Sequence, residues 1–250
     1  MRVEEKIAEA AGREAGTLTL ESICMGVGYT GVKLSDGHGG VSYTFRDDLG
    51  ASCGVIRNAG HLRGMPASEA VKWMLSENLA EAAIGTATVN AVLNRGYRRG
   101  KNVAESVICE PQDVVGMVGW FCPLVWKFQG AGEFYIFERH PETCAPSGIA
   151  RILGSDKAGE ILGKCTKVIL TGTSFVNGTA SRLLSACHNA KEIVIVGAST
   201  PMCPEVLREY GVTLLAGTQI TDADLMLRIV AEGGGGMDLS PASEKLLERV

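Results

Sequence analysis

Two loops rich in small and hydroxyl-bearing residues carry most of the chemistry that this sequence offers. The loop GTSFVNGT, residues 172–179, follows the run KVILT, and the loop GASTP, residues 197–201, follows EIVIV. Continuous runs of Val, Ile and Leu are typical of strands buried on both faces of a parallel sheet. Because the loops at the carboxyl ends of such strands form the ligand crevice, we expect these two loops to bind a small polar or anionic ligand.

Hydroxyl and amide groups in the two loops are the expected ligand contacts. Together with the backbone N–H groups around Gly178 they would form a lip that accepts an anion, and the side chains are Thr173, Ser174, Asn177, Ser199 and Thr200. The alternative is that Asn177 or Thr179 only caps the next helix, which is the commonest use of such residues at a helix start. The pattern leaves both interpretations open.

Aromatic and acidic residues at two other predicted strand ends extend the candidate site. Gly119 would allow a tight turn from strand to helix, and Trp120 and Phe121 after it are either core residues or a wall against which a ligand stacks. Glu138 ends the strand-like run FYIFE, roughly 20 residues further on, where dinucleotide-binding folds place an acid that bonds ribose hydroxyls. The alternative is a surface Glu138 paired with Arg139.

Motifs for metal or nucleotide binding are weak. His140 and Cys144, flanked by Glu138 and Glu142, offer ligand types that suit a transition metal, although Pro141 argues against a helix that would align them. The sequence GVGYTG, residues 26–31, matches G-x-G-x-x-G, but a strand-like run follows it where the fingerprint requires a helix. We therefore expect a turn there, and the sequence contains no recognised metal-ligand or nucleophile motif.

The composition is that of an ordinary globular chain. Of 250 residues, 46% are hydrophobic and 21% are charged, the net charge is −4, and no basic run suits nucleic acid. No apolar stretch is long enough to span a bilayer, no secretory signal is evident, and the eight cysteines are scattered. These features predict a cytoplasmic protein with reduced cysteines, no nucleic-acid partner and no membrane insertion, and they leave a homodimer open.

The pattern of elements changes near residue 107. Before it we expect a helix at 3–14, strands at 17–28 and 41–45 with turns at 28–31 and 35–40, and helices at 68–76 and 79–93, which is an α+β arrangement. After it, apolar runs alternate with helical stretches, as in parallel βαβ units. We expect strands at 114–118, 133–137, 167–171, 192–196 and 212–215, helices at 123–130, 155–163, 179–189, 204–210 and 222–231, and a short docked helix at 241–250.

Several segments together resemble the putative heavy-metal chelation family, long known as a domain of unknown function. In the second half these are VGMVGWFCPLV, FYIFER, TGTSFVNGT, VGASTPMCPEVLREYGV and LLAGTQITDAD; in the first half they are VGYTGVKL, GHLRG and ENLAEAAIGTATVNAVLN. The resemblance covers nearly the whole chain. It implies an N-terminal α+β meander domain similar to the amino-terminal domain of enolase (residues 1–108) and a C-terminal α/β domain with a Rossmann-like parallel sheet (residues 109–250).

The resemblance also implies a site between the two domains. Carried over residue by residue, the site draws on Tyr29, Thr30, Asn78, Asn90, Gly119, Phe121, Pro123, Glu138, Arg139, Thr173, Asn177, Thr179, Ser199, Thr200 and Pro201. The implied function is the handling of a small molecule or metal, with a transition metal or an anionic metal chelator bound in the interdomain cleft. The alternative is an enzyme that uses a nucleotide-like, adenosyl cofactor with Glu138 at its ribose. The sequence leaves open whether any reaction is catalysed.

Overall fold

A small antiparallel sheet before residue 100 and a large, mostly parallel sheet after it organise the chain. The structure is a computed structural model and describes residues 1–51, 54–100, 102–144 and 148–250, so Cys53 lies outside the described residues. The helices are α1 (Val3–Glu14), α2 (Ala67–Ala70), α3 (Leu79–Leu93), α4 (Cys122–Lys127), α5 (Ala158–Ile161), α6 (Ala180–Ala186), α7 (Pro204–Leu207) and α8 (Ala223–Ala231). The strands are β1 (Leu20–Met25), β2 (Tyr29–Leu34), β3 (Gly39–Tyr43), β4 (Val114–Val118), β5 (Glu133–Glu138), β6 (Arg151–Gly154), β7 (Lys167–Thr171), β8 (Glu192–Val196), β9 (Leu214–Ile220) and β10 (Ser243–Arg249).

The small sheet is a meander in the order β1-β2-β3, as the short loops predict. Helix α3 lies on it and is buried on nearly every side, from Ala80 to Val92. Its interior is built from Ala, Gly, Thr and Val, because the backbones of neighbouring elements approach it closely. A Cβ on Gly85 would overlap the backbone of Trp73 and Met74, and one on Gly40 would overlap the backbone of α3.

The large sheet has the order β10-β9-β8-β7-β4-β5-β6. Six of its strands are parallel, and β10 alone runs antiparallel to its neighbour β9. The chain therefore builds one side of the sheet outward from β4 through β5 and β6, then returns to the other side of β4 and builds outward through β7, β8 and β9. The direction of building reverses between β4 and β7, where the loops leaving the two carboxyl ends diverge and open a crevice.

The end of the chain differs from our expectation of a docked helix at 241–250. It forms strand β10, which pairs with β9 from Ser243 opposite Ile220 to Arg249 opposite Leu214. The amphipathic sequence SEKLLER suits either structure at this length, and the free N–H and C=O groups at the edge of β9 favour the strand. Sequence reasoning also missed β6, extended the turn at 28–31 into the start of β2, and placed β9 too early, at 212–215.

Buried polar side chains join the first hundred residues to the large sheet. Asn94 donates from Nδ2 to the carbonyls of Thr200 and Thr218, both at 3.0 Å, and its Oδ1 accepts the N–H of Met202 at 2.8 Å. The buried carboxylate of Glu4 in α1 accepts the backbone N–H of Ser181 in α6 at 3.0 Å.

The domain boundary predicted at residue 108 stays a prediction. Across the described ranges, the longest apolar helices fall short of the length that crosses a bilayer.

Candidate functional site

A cavity of about 670 Å³ lies at the carboxyl ends of the parallel strands, where the order of the large sheet reverses. The loop after β4 contributes Gly119, Trp120 and Phe121, and the end of β5 contributes Glu138, Arg139 and His140. The segment after β7 contributes Thr173, Ser174, Asn177 and Thr179. The first hundred residues close the cavity with Tyr43, Phe45, Asp47, Asp48, Glu77 and Leu79. The structure therefore brings together the predicted residues from three separate strand ends.

The loop after β7 uses its backbone N–H groups internally. The N–H groups of Val176 and Asn177 donate to the Thr173 carbonyl, at 3.0 and 3.2 Å, and that of Thr179 donates to the Ser174 carbonyl at 2.9 Å. The Ser174 hydroxyl donates to the Thr171 carbonyl at 2.8 Å. The expected lip of free backbone amides is therefore wrong for these three groups. What the loop offers a ligand is side-chain chemistry together with the Gly178 N–H, which has no acceptor among the described residues.

Asn177 shapes this loop, and its side chain does not cap helix α6. Its Oδ1 accepts the N–H and the hydroxyl of Thr179, at 3.3 and 2.7 Å, while its Nδ2 has no partner among the described residues. Thr179 occupies the N-cap position of α6 without a side-chain capping bond, and the Ser181 N–H near the helix start is bonded by Glu4. The Asn177 amide is therefore available to a ligand as a hydrogen-bond donor.

Gly119 is required by its conformation. Its φ of +94° lies in the left-handed region, and a Cβ there would lie 3.1 Å from the Cβ of Thr171 on the neighbouring strand. The sharp turn places Trp120 and Phe121, both partly buried, at the wall of the cavity. The same two side chains pack against the core beneath the sheet, so the core and the wall interpretations both hold for them.

Glu138 and Arg139 separate at the end of β5. The Arg139 guanidinium binds Asp48 with two hydrogen bonds, Nη1 to Oδ2 at 2.5 Å and Nη2 to Oδ1 at 2.6 Å, and lies 5.3 Å from the centre of the Phe45 ring. The hydrogen bonds from Arg139 lower the pKa of Asp48 and those to Asp48 raise the pKa of Arg139. Glu138 accepts only the backbone N–H of Arg139, at 3.1 Å, so the expected Glu138–Arg139 ion pair is absent from the described structure.

The uncompensated charge of the cavity is negative. Arg139 and Asp48 neutralise each other, and the remaining charged side chains in the lining are Glu138, Glu77, Asp47 and Arg182. Within the part of the chain that the structure describes, Glu138, Glu77 and Arg182 have no ion-pair partner, while Asp47 lies 3.7 Å from Arg46, which leaves an excess of one negative charge. Such a lining repels a free anion, and it favours a cation or a neutral, hydroxyl-rich molecule.

Four predicted site residues lie outside this cavity, in the contact between the first hundred residues and the large sheet. The Ser199 hydroxyl accepts the Tyr43 N–H at 2.8 Å, and the Asn90 Nδ2 donates to the Val41 carbonyl at 2.9 Å. Thr30 shares a hydrogen bond with Thr44, and Thr200 is fully buried. Contrary to the expectation from the sequence, Ser199 and Thr200 therefore do not join the lip formed by the loop after β7. Strand β8 lies one position beyond the reversal of the sheet, and the small sheet and α3 cover the loop that follows it.

The remaining residues from the resemblance lie apart. Tyr29 and Pro123 line a second cavity, and the Asn78 Oδ1 caps helix α3 by accepting the Ala80 N–H at 2.9 Å. Sequence reasoning missed the acidic residues Asp47, Asp48 and Glu77, which face the predicted loops from turns in the first half. Nothing local in the sequence distinguishes the doublet at 47–48, and only the folded structure places it in the lining of the cavity.

The loop after β5 does not assemble the metal site that its residue types suggested. Across the described ranges, no three His, Cys, Asp or Glu side chains converge as metal ligands. The His140 Nδ1 lies 3.3 Å from Glu142 at an exposed position, and burial raises the pKa of the Cys144 thiol. The His140–Cys144 hypothesis is therefore not supported, because no group of three ligating side chains forms among the described residues of this loop.

Comparison with known protein families finds two matching segments, one in each half of the chain. Residues 102–248 match the family DUF364 and residues 8–93 match DUF4213, and both families carry the description "Putative heavy-metal chelation". The uncharacterized protein MJ0500 of Methanocaldococcus jannaschii is 28% identical over 177 residues, which span 68% of this chain and 66% of that protein.

Two solved structures share the fold. One is a DUF364 protein of unknown function from Pyrococcus horikoshii, with a TM-score of 0.79 and 22% identity over 99% of this chain and 100% of that one. The other is a DUF364 protein of unknown function from Desulfitobacterium hafniense, with a TM-score of 0.79 and 24% identity over 99% of this chain and 98% of that one.

Proposed function

Because the chain belongs to the DUF364 family, described as "Putative heavy-metal chelation", we propose that its cavity binds a metal ion already held by a small organic chelator. The observation that carries this proposal is the division of the cavity into two kinds of wall. Side-chain hydroxyls and the Asn177 amide lie on the β7 side, and the unpaired carboxylates Glu138 and Glu77 lie in the rest of the lining.

The two walls suit the two parts of such a complex. The oxygen atoms of a chelator accept hydrogen bonds from Thr173 and from the Asn177 Nδ2, which the loop leaves unused. The carboxylates of Glu138 and Glu77 stabilise the positive charge of the metal. A free anionic chelator has no such charge and is repelled by them. A bare metal ion fits less well, because no set of three ligating side chains is assembled in the described residues.

The architecture supports a finer proposal for the fold. Counted from β4 to β9, the six parallel strands have the order 3-2-1-4-5-6, which is the order of doubly wound dinucleotide-binding sheets. We assign residues 109–250 to a Rossmann-like domain and residues 1–108 to an enolase-N-terminal-like domain. The cavity would then be an interdomain cleft at the topological switch point.

The strand order also favours a second candidate function. Glu138 is the last residue of β5, the second strand in that order, and it lines the cavity. An acid at this position bonds ribose hydroxyls in dinucleotide-binding folds. An enzyme with an adenosyl cofactor is therefore the alternative, although the turn at Gly119 lacks the further glycines that let a pyrophosphate approach the backbone.

Isothermal titration calorimetry with nickel citrate, nickel nitrilotriacetate, each free chelator, free Ni²⁺ and NAD⁺ separates the two functions. We expect at least one nickel chelate to bind more tightly than its chelator or Ni²⁺ alone. We expect Glu138→Gln to weaken that binding at least tenfold, about 1.4 kcal/mol, because it removes the charge that faces the metal. Glu160→Gln is the matched control at an exposed carboxylate, and its affinity should equal that of the parent.

Thr173→Ala tests the opposite wall in the same titration. It should weaken chelate binding with little change in the melting temperature, since the Thr173 hydroxyl bonds only the neighbouring Thr171 hydroxyl. Binding of NAD⁺ that is lost in Glu138→Gln, without binding of either chelate, would support the cofactor hypothesis. If none of these probes binds, the proposed function is wrong.

A further inference from the structure

A second cavity, of about 600 Å³, shares the side chains of Trp120 and Phe121 with the first. We propose that it binds a small aromatic carboxylic acid, whose ring lies beside these two aromatic residues and whose carboxylate contacts Lys245 and Thr218. This proposal is independent of the function proposed for the first cavity. The volume lies within the range of about 300–1,000 Å³ that is usual for small-molecule sites.

Lys245 and Thr218 are placed together by the pairing of β9 and β10. They are directly opposite each other in the antiparallel ladder, so their side chains share one face of the sheet. Both line the second cavity. Because one is an ammonium and the other a hydroxyl, the pair provides two adjacent donors, which matches the two oxygen atoms of a carboxylate.

Neither donor has a hydrogen-bond or ion-pair partner among the residues that the structure describes. Thr218 is only 4% exposed, and its Oγ1 forms no hydrogen bond. The Lys245 ammonium forms no ion pair or hydrogen bond with the described residues. A buried hydroxyl without a partner costs free energy, so nearly all such groups in folded proteins are satisfied by protein, water or ligand. Thr218 therefore points to a ligand that supplies an acceptor, and the solvent-exposed ammonium of Lys245 stands opposite it in the ladder, where it can contact the same ligand.

Lys245 is the one cationic side chain among the described lining residues of the second cavity. Lys245 and Asp238 are the charged side chains among its described lining residues, and Asp238 accepts the Gly235 N–H at 2.7 Å within its own turn. Partial burial lowers the pKa of Lys245, although its side chain keeps access to solvent. The Tyr29 phenol and the Cys122 thiol also line this cavity, and burial raises the pKa of Tyr29, which keeps it neutral.

The rest of the lining is mostly apolar. Leu246, Leu247 and Met237 accompany the two aromatic side chains, and Gly197, Gly217 and Gly236 add no side-chain volume. Aromatic rings pack against Trp and Phe faces in offset or edge contacts that add to simple burial. This chemistry differs from the first cavity, whose carboxylates and hydroxyls suit a polar metal chelate.

Calorimetry with 1-naphthoate and its uncharged analogue 1-naphthamide tests the proposal. We expect the parent protein to bind 1-naphthoate at least tenfold more tightly than 1-naphthamide. Lys245→Met should abolish this difference, Lys245→Arg should keep most of it, and Thr218→Val should reduce it. Lys191→Met is the matched control, since Lys191 is also exposed and has no ion-pair partner among the described residues.

The outcomes decide the proposal and separate it from the function of the first cavity. Circular dichroism and the melting temperature establish that each variant is folded. Glu138→Gln should leave the affinity for 1-naphthoate unchanged, because Glu138 lines only the first cavity. The proposal is overturned if neither naphthalene compound binds, if both bind equally, or if Lys245→Met discriminates between them as the parent does.

Discussion

The contact between Asp48 and Arg139 ties the first hundred residues to the end of β5, across the cavity. Both side chains remain partly exposed, at 29% for Asp48 and 42% for Arg139, so solvent screens their attraction. The pair fixes the position of Arg139 and leaves Glu138 beside it free of the guanidinium. A single pairing at the residue scale therefore decides which of the two carboxylates keeps a charged partner.

Asp48→Asn should lower the free energy of unfolding by about 0.5–1 kcal/mol at about pH 7. The folded pKa of Asp48 lies below its ordinary value, so the pair stabilises the fold above the pKa of an unfolded Asp, near 3.9. That contribution is lost as the pH falls through the folded pKa. Urea unfolding at a series of pH values should show the variant and the parent converging in acid. The exposed Asp156→Asn serves as the control, and a difference that persists unchanged in acid contradicts the assignment.

Part of the site could be predicted from residue types and part could not. Glu138, Thr173, Asn177 and Gly119 were predicted, because residues that follow buried parallel strands meet at one edge of the sheet. The internal hydrogen bonds of the backbone N–H groups in the loop after β7 were not predictable, since they depend on the exact 3₁₀ turn there. Asp48 and Glu77 were missed because nothing local in the sequence shows which distant loop they face.

At the scale of elements, α3 is the helix that departs most from an amphipathic pattern. It is buried on nearly all sides, and its glycine and alanine residues serve close packing of backbones. Its existence was predictable from the helical spacing of residues 79–93, but its burial was not, because burial depends on what surrounds it. For β10 the type of element itself was not predictable, since seven residues show too little periodicity to distinguish a strand from a helix.

Gly85→Ala should destabilise the protein although alanine favours helices by about 1 kcal/mol over glycine. The added methyl group would overlap the backbone of Trp73 and Met74, which cannot rotate away as a side chain can. We expect a loss of about 2 kcal/mol or more in the free energy of unfolding. Gly159→Ala in α5, where nothing lies within 4 Å of the new Cβ, should be neutral or stabilising. Equal effects of the two substitutions in urea unfolding would refute the packing explanation.

At the scale of the whole molecule, the two sheets are held together by buried hydrogen bonds as well as by apolar contacts. The Asn94 side chain is 3% exposed and bonds three backbone groups of the large sheet and its loops. The change from meander to alternating pattern near residue 107 was predictable, because the periodicity changes there. The contact between the halves was not, since it depends on side chains more than 100 residues apart in the sequence.

Asn94→Ala should lower the stability of the entire chain by about 3 kcal/mol, because it leaves buried carbonyl and N–H groups without partners. If the two halves unfold together, differential scanning calorimetry should show one transition for the parent and one for the variant, at a lower temperature. Two transitions, of which only one shifts in the variant, would mean that the halves fold independently and that this contact is local.

Strand β10 has a consequence for how the protein behaves at high concentration. Without it, the sequence LLAGTQI of β9 would form the edge of the sheet, an uncharged row of unpaired backbone groups of the kind on which foreign strands polymerise. β10 occupies that edge with a sequence rich in charge, and residues 98–100 bond in turn to its outer side, the Leu247 N–H to Arg98 and the Gly100 N–H to the Lys245 carbonyl. β10 and residues 98–100 thereby remove the exposed β9 edge at which fibrous aggregation could begin.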